Sequence, residues 1–303
     1  MADSISAYEE VGTVFTAALI FGMYLITLLF CFRWLLFDDD GWNLRERISW
    51  TTVLTAFLIF AFNLLYLVLS LRSTIAMVKY LSDNPGGPGY HTPHWDSIVK
   101  CTSANFTALL ADCALIYRCW VVYGECLAVV VFPILLWLGS LVCTALQMYL
   151  QIVHVHNPLI GPRIWGAVNM TLGPGIVLIP FWASTAVLNG YATFMLIRRI
   201  YRISTICDTG TSARQFRFIM RILAESGFLY LSITIAHLVT WFTSDNVAIQ
   251  ILSMINMPVI GIAFNLVLIR ASQTRAEKTA LEEIPITQIS ELHFRQSSLH
   301  STC

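Results

Sequence analysis

Charge is scarce in this sequence. Asp, Glu, Lys and Arg together make up 12% of its 303 residues, and lysine occurs only at Lys79, Lys100 and Lys278. None of these lies in the last apolar stretch, which excludes a Schiff-base chromophore on that segment. There is no Gly-rich phosphate loop, no paired-histidine zinc motif and no nucleophile elbow, so the usual signatures of phosphate, zinc and acyl chemistry are missing. No set of side chains assembles a hydrolytic site, so no catalytic residue and no cofactor is expected. A disulfide framework is lacking as well. Of eight cysteines, Cys31, Cys113, Cys119, Cys126 and Cys143 lie in or beside apolar runs, Cys207 lies in a polar loop and Cys303 is the last residue. Cys101 has no counterpart on its own side of the chain, and a disulfide needs both a partner and an oxidising side. Cys303 is not fourth from the end, so a prenylation motif is absent. The opening residues lack a basic region and a small-residue cleavage site, and no cleaved signal peptide is expected.

What the sequence has instead is apolar length. Hydrophobic residues make up 57% of it, and they gather into seven runs at about 11–36, 48–71, 100–122, 127–151, 172–197, 216–241 and 247–269. A helix that crosses a hydrocarbon core of about 30 Å needs about 20 such residues. The expected fold class is therefore all-α, a seven-transmembrane-helix bundle in one domain at 1–270. A polar tail at 271–303 follows, mostly disordered, with a short surface helix over 275–283. Only a few residues around Gly124 and Glu125 separate the third and fourth runs, which makes them antiparallel neighbours. Pro133, Pro180 and Pro258 fall inside runs, and each frees a carbonyl that a neighbouring helix must satisfy.

Basic residues set the orientation. Fourteen lie on one side and four on the other. The rich side holds Arg33, Arg45, Arg47 and Arg118, the cluster Arg198, Arg199, Arg202, Arg214, Arg217 and Arg221, and the tail. The poor side holds Arg72, Lys79, Lys100 and Arg163. The N-terminus is expected outside and the C-terminus in the cytosol. The acidic triplet Asp38, Asp39 and Asp40 does not oppose this, because acids weigh little in orientation. Asn169-Met-Thr171 is a glycosylation sequon on the outer side, very close to a span. The basic cluster has two readings: attraction to anionic cytosolic lipid, at about 1 kcal/mol per residue, or a cytosolic signalling partner. The bilayer itself is the first partner, and no nucleic acid is expected.

The third and sixth runs carry internal charge, and function is sought there. Asp112 lies about 18 Å along a helix from Lys100, slightly past mid-bilayer, where an Asp costs about 2.5–3.5 kcal/mol to insert. It must face the bundle and have a partner. One reading makes it a proton, cation or ligand site. The other makes it a structural group bonded to Asn63 of the second run or Asn265 of the seventh. Arg118 sits near the cytosolic interface, and Glu225 lies one turn from Arg221 on the sixth run. A pair between Arg118 and Glu225 would form a lock between two helices. The alternative sends Arg118 to the headgroups and pairs Glu225 with Arg221 on its own helix. His91, His94, His154 and His156, with Asp96, collect at the outer face in spacings that permit metal ligation. They lie in or beside loops without fixed register, and independent surface histidines are the simpler reading. His237 reads as a satisfied polar group.

The stretch Asp112-Cys-Ala-Leu-Ile-Tyr117-Arg118-Cys-Trp120-Val-Val-Tyr123-Gly124 resembles the end of the third span in a large group of seven-span membrane proteins from mushroom-forming fungi. The resemblance implies a seven-span layout and carries no activity with it. The overall plan is also similar to that of G-protein-coupled receptors, with an Arg ending span three and Pro180 in span five. It departs from them where Tyr117 replaces an acid before Arg118, where span six lacks proline and where span seven reads Asn256-Met-Pro258. Two functional classes remain open: receptor-like sensing of a small or lipophilic ligand, and a transporter or lipid-handling membrane enzyme that uses Asp112.

Overall fold

The computed structural model describes residues 7–37, 49–84, 94–156, 175–206, 211–242 and 246–282. Side chains are described over 8–37, 49–84, 95–153, 177–199, 201–202, 225–242 and 247–270, and at 272. The described chain is helical. Its seven helices are α1 (Ala7–Leu36), α2 (Trp50–Asp83), α3 (His94–Val122), α4 (Leu127–His156), α5 (Gly175–Ile206), α6 (Thr211–Thr240) and α7 (Asn246–Glu282).

Six of them, all but α6, contain segments long and apolar enough to cross a membrane. In α6 the described side chains cover only 225–240, fewer than a crossing requires. The protein is thus a multi-pass helical membrane protein. Its packing agrees with a lipid solvent. Large apolar side chains such as Phe15, Leu29, Phe57, Leu135 and Phe194 face outward, while Asn63, Asn105, Asp112, Asn189 and Asn265 are buried. Lipid gives helices no hydrophobic reason to associate, so close approach and interhelical hydrogen bonds must hold them.

Each helix packs on the next in sequence, α7 closes the ring on α1, and α3 runs through the middle to touch α5 and α7 as well. The helices alternate in direction. One end of the bundle gathers Glu10, Thr74 and Gln250, and the Glu10 carboxylate accepts a hydrogen bond from each of the other two, joining α1 to α2 and α7. The other holds the end of α3, where Tyr123 Oη donates to the carbonyl of Met195 in α5 at 2.9 Å.

The expected antiparallel pair is present, and its turn has a physical cause. Gly124 and Glu125 both take left-handed φ, at 65° and 64°. The Glu125 amide donates back to Trp120 O at 2.9 Å and the Gly124 amide to Val121 O at 3.1 Å. This is the glycine-dependent helix stop that satisfies the orphan carbonyls of a last turn.

Several helices outrun the apolar windows. α2 continues to Asp83 where the sequence predicts a span ending near 71, so Arg72 and Lys79 are helical rather than loop residues. Long basic side chains permit this, since their heads reach polar surroundings from an apolar backbone position. α7 runs unbroken through 271–282, so the helix expected over 275–283 is its continuation; residues 283–303 lie outside the described residues.

Pro133, Pro180 and Pro258 are all inside helices. The carbonyl that Pro133 frees four residues earlier, at Val129, accepts a hydrogen bond from Tyr191 Oη of α5 at 3.0 Å. This is the re-satisfaction that an intramembrane proline needs. Tyr191→Phe is expected to lower stability by about 1 kcal/mol, read as a fall in apparent Tm in mild detergent. The same substitution combined with Pro133→Ala should cost less, since the helix then bonds its own carbonyl.

Candidate functional site

α3 places Asp112 at the centre of the bundle, where it is fully buried. Its Oδ1 accepts a hydrogen bond from Tyr230 Oη of α6 at 3.0 Å. Its Oδ2 has no hydrogen-bond partner. Thr185 of α5 faces the same carboxyl, and its Oγ1 is also buried without a partner. Three helices thus converge on one acid. Among the described residues, the backbones of α3 and α6 make no close approach; Tyr230 and Asp112 bridge the gap.

The gap is a cavity of about 30 Å³, enough for a water molecule or two. Arg118, Asn189, Thr193, Ser226 and Tyr230 supply its polar lining. Asn189 Nδ2 is a further buried donor without a partner. Arg118 lies with its guanidinium 5.7 Å from the ring centre of Phe264 of α7, a cation–π distance. A polar seam therefore leads from Asp112 through Tyr230 toward the end of the bundle that holds Tyr123.

The other intramembrane candidates are dispersed. Asn63 and Asn265 do not bond Asp112. Asn63 Nδ2 donates to Ile59 O of its own helix at 2.9 Å, and Asn265 Nδ2 donates to Thr27 Oγ1 of α1 at 3.3 Å. Glu225 is exposed and borders a separate groove between α5 and α6, with Gly190, Phe194 and Ile197, whereas Arg118 borders the interior cavity. The side chain of Arg221 lies outside the described residues, as do those of Arg214 and Arg217. Within the basic cluster Arg198 and Arg202 are exposed, and Arg199 stacks 5.6 Å from the Tyr123 ring centre.

His91 lies outside the described residues, and so do the side chains of His94, His154 and His156. Among the described residues no three His, Cys, Asp or Glu side chains group as a metal site would require. His237 is buried in a polar knot. Its Nε2 lies 2.8 Å from Ser253 Oγ and 3.3 Å from Trp241 Nε1, and its Nδ1 lies 3.3 Å from Asn256 Nδ2. Ser253 Oγ already donates to Ile249 O, so a neutral ring fits with Nε2–H toward Ser253 and Nδ1 accepting from Asn256. In that tautomer the Trp241 indole N–H meets a second donor and makes no hydrogen bond; in the other, Nε2 accepts from Trp241 Nε1.

Sequence reasoning missed Tyr230 as the partner of Asp112. The signal was available: Ser226, Tyr230, Thr234 and His237 recur at helical spacing along α6 and are all buried, a polar stripe that marks its inward face. Glu10 was also passed over, as an acid preceding the first span. It is buried, and it accepts Gln250 Nε2 at 2.6 Å and Thr74 Oγ1 at 3.4 Å. Glu10→Ala should cost about 1–3 kcal/mol, because Gln250 is left without its acceptor. Faster amide exchange in the first turns of α1 and α7 would register it, and Glu10→Gln should restore most of the protection.

No protein-family profile matches the chain, and no curated protein or solved structure is significantly similar to it.

Proposed function

We propose that the chain is a seven-span, receptor-like membrane protein with its N-terminus outside and its C-terminus in the cytosol, responding to a small or lipophilic ligand. The span-three motif supports a place beside the fungal seven-span group. The observation that carries the receptor reading is the bridge between α3 and α6. Two helices separated by a small, mostly apolar cavity are joined through the hydrogen bond from Tyr230 to Asp112. A tie of this size, typically about 0.6 kcal/mol and at most about 1.7 within a bilayer, can be made or broken by the differential affinity of a ligand. Arg118 stands at the cytosolic side of the cavity under the proposed orientation, where a change in the α3–α6 gap reaches its surroundings first. The basic face of Arg198 and Arg202 offers a surface for anionic lipid or a cytosolic signalling partner.

The decisive experiment combines proximity labelling of cytosolic proteins with a panel of lipophilic compounds. Compound-dependent labelling that Arg118→Ala abolishes is the expected result. Proteoliposomes that move solute in an Asp112-dependent manner would overturn the receptor reading in favour of transport.

A further inference from the structure

We propose that the lipid-facing groove between α1 and the second half of α2 binds one phospholipid with a zwitterionic headgroup, its phosphate held by Lys79 and its ammonium group by Asp83. The proposal rests on the multi-pass architecture and not on receptor activity, so either can fail without the other.

The groove exists because α1 is held to α7 more closely than to α2. Glu10 accepts from Gln250 of α7 at 2.6 Å and from Thr74 of α2 only at 3.4 Å. Further along, Gly261 of α7 lets the Tyr24 ring close against its backbone, and α1 packs more extensively on α7 than on α2. The flank of α1 that faces α2 is left concave, with a volume of about 650 Å³. Its walls follow helical spacing, with Val11, Phe15 and Ala18 from α1 and Leu71, Ile75 and Val78 from α2. All six are exposed. From Leu71 to Ser82 the groove runs about 16 Å at 1.5 Å per residue, close to one leaflet of a hydrocarbon core about 30 Å thick. An acyl chain fits that length.

The mouth of the groove is charged. Lys79, Ser82 and Asp83 line it there, and all three are exposed. Lys79 and Asp83 stand one turn apart with opposite charge, yet among the described residues no ion pair joins them; the pair at this end is Arg72 with Asp96, at 3.8 Å. Their order contributes, because a base that precedes its acid is the weaker arrangement of a helical pair. A mouth with an uncompensated cation beside an uncompensated anion is complementary to a head that carries both charges. A phosphate and an ammonium group joined by a short carbon link have that layout. The Ser82 hydroxyl adds a hydrogen-bond donor for a phosphate oxygen.

Other amphiphiles match the mouth less well. A head with net negative charge meets Asp83 as a like charge, and a sterol hydroxyl leaves both charges unused. Other lipid-facing surfaces lack the combination. A groove between α5 and α6 has an acid in its lining, Glu225, but no base. The exposed face of α4 from Leu127 to Leu146 carries no charge. Apolar contact with lipid is common to all of these surfaces, whereas opposite charges at the mouth of an apolar groove mark the α1–α2 site.

Native mass spectrometry of the delipidated full chain, titrated with phosphatidylcholine, phosphatidylethanolamine, phosphatidylglycerol or a sterol, tests this. The two zwitterionic lipids should form a one-to-one adduct at lower concentration than phosphatidylglycerol or the sterol. Lys79→Gln and Asp83→Asn should each weaken that adduct by about two- to fivefold, the worth of one exposed ion pair. Asp83→Lys should reverse the preference toward phosphatidylglycerol. Ala18→Phe fills the groove from the α1 wall and should weaken every adduct while the apparent Tm stays unchanged. Equal affinity of the wild type for phosphatidylglycerol and the zwitterionic lipids would overturn the proposal. So would an undiminished adduct in both Lys79→Gln and Asp83→Asn, and so would a one-to-one adduct formed with the sterol alone.

Discussion

Gly261→Ala should detach α1 from α7. A Cβ at this position would fall onto the Tyr24 ring, with Cζ at 2.8 Å and Cε2 nearer still. Tyr24 is fully buried and cannot swing aside. Phe21 holds one edge at a centroid distance of 5.7 Å and Phe60 another at 6.5 Å. Overpacking of this kind costs about 1–3 kcal/mol, against a helix-propensity gain of at most about 1 kcal/mol for replacing glycine by alanine. The balance is destabilising, and larger side chains at 261 should extend it. Apparent Tm in detergent measures the loss. A second substitution, Tyr24→Leu, should recover part of it, whereas Tyr24→Phe should not, because the clash is with ring carbons and not with the hydroxyl. If Gly261→Ala raises Tm, the close approach of α1 and α7 is wrong. Gly227 repeats the arrangement on a smaller scale between α6 and α5, where a Cβ would meet Thr193 Oγ1 at 2.5 Å.

His237→Ala is the second large effect. The ring is packed edge-on against Trp182 of α5 at a centroid distance of 4.6 Å and lies 6.2 Å from Trp241. It also links α6 to α7 through Ser253 and Asn256. Truncation leaves a cavity beside two indoles and strips those partners at once, for a loss of about 3 kcal/mol. Tryptophan emission should shift to the red as water or detergent reaches Trp182 and Trp241. His237→Phe keeps the packing and loses only the hydrogen bonds, so it should fall between. Equal losses in the two variants would mean that the hydrogen bonds, and not the packing, hold this junction.

The helical architecture was legible because bilayer thickness acts directly on composition. Runs such as 127–151 contain no charge at all, and α4 begins at the residue where the apolar run begins. The overruns of α2 and α7 were not legible, since helical hydrogen bonding does not stop where hydropathy does. The site was half legible. Asp112 declares itself through insertion cost, which is a property of one residue at one depth. Its partner depends on the rotation of α6 about its own axis, which hydropathy alone does not report. Asn63 and Asn265 were plausible by depth and turned to other neighbours, Ile59 and Thr27. The buried Glu10 escaped because a sequence window places an acid at a span boundary in solvent, while the fold lays α7 over it through Gln250.

The tight stop at Gly124 and Glu125 bears on how the chain enters the bilayer. α3 is much less apolar than α4 and carries the acid that costs about 2.5–3.5 kcal/mol to insert. With only a few residues between them, the two helices leave the ribosome in close succession and can cross as a hairpin. Asn105 Nδ2 then meets Gln147 Oε1 at 2.6 Å, and Trp137 Nε1 meets Leu109 O at 3.0 Å, so the polar side of α3 finds its companion during biogenesis. The tight turn thereby serves as a chaperone for a helix that inserts poorly by itself.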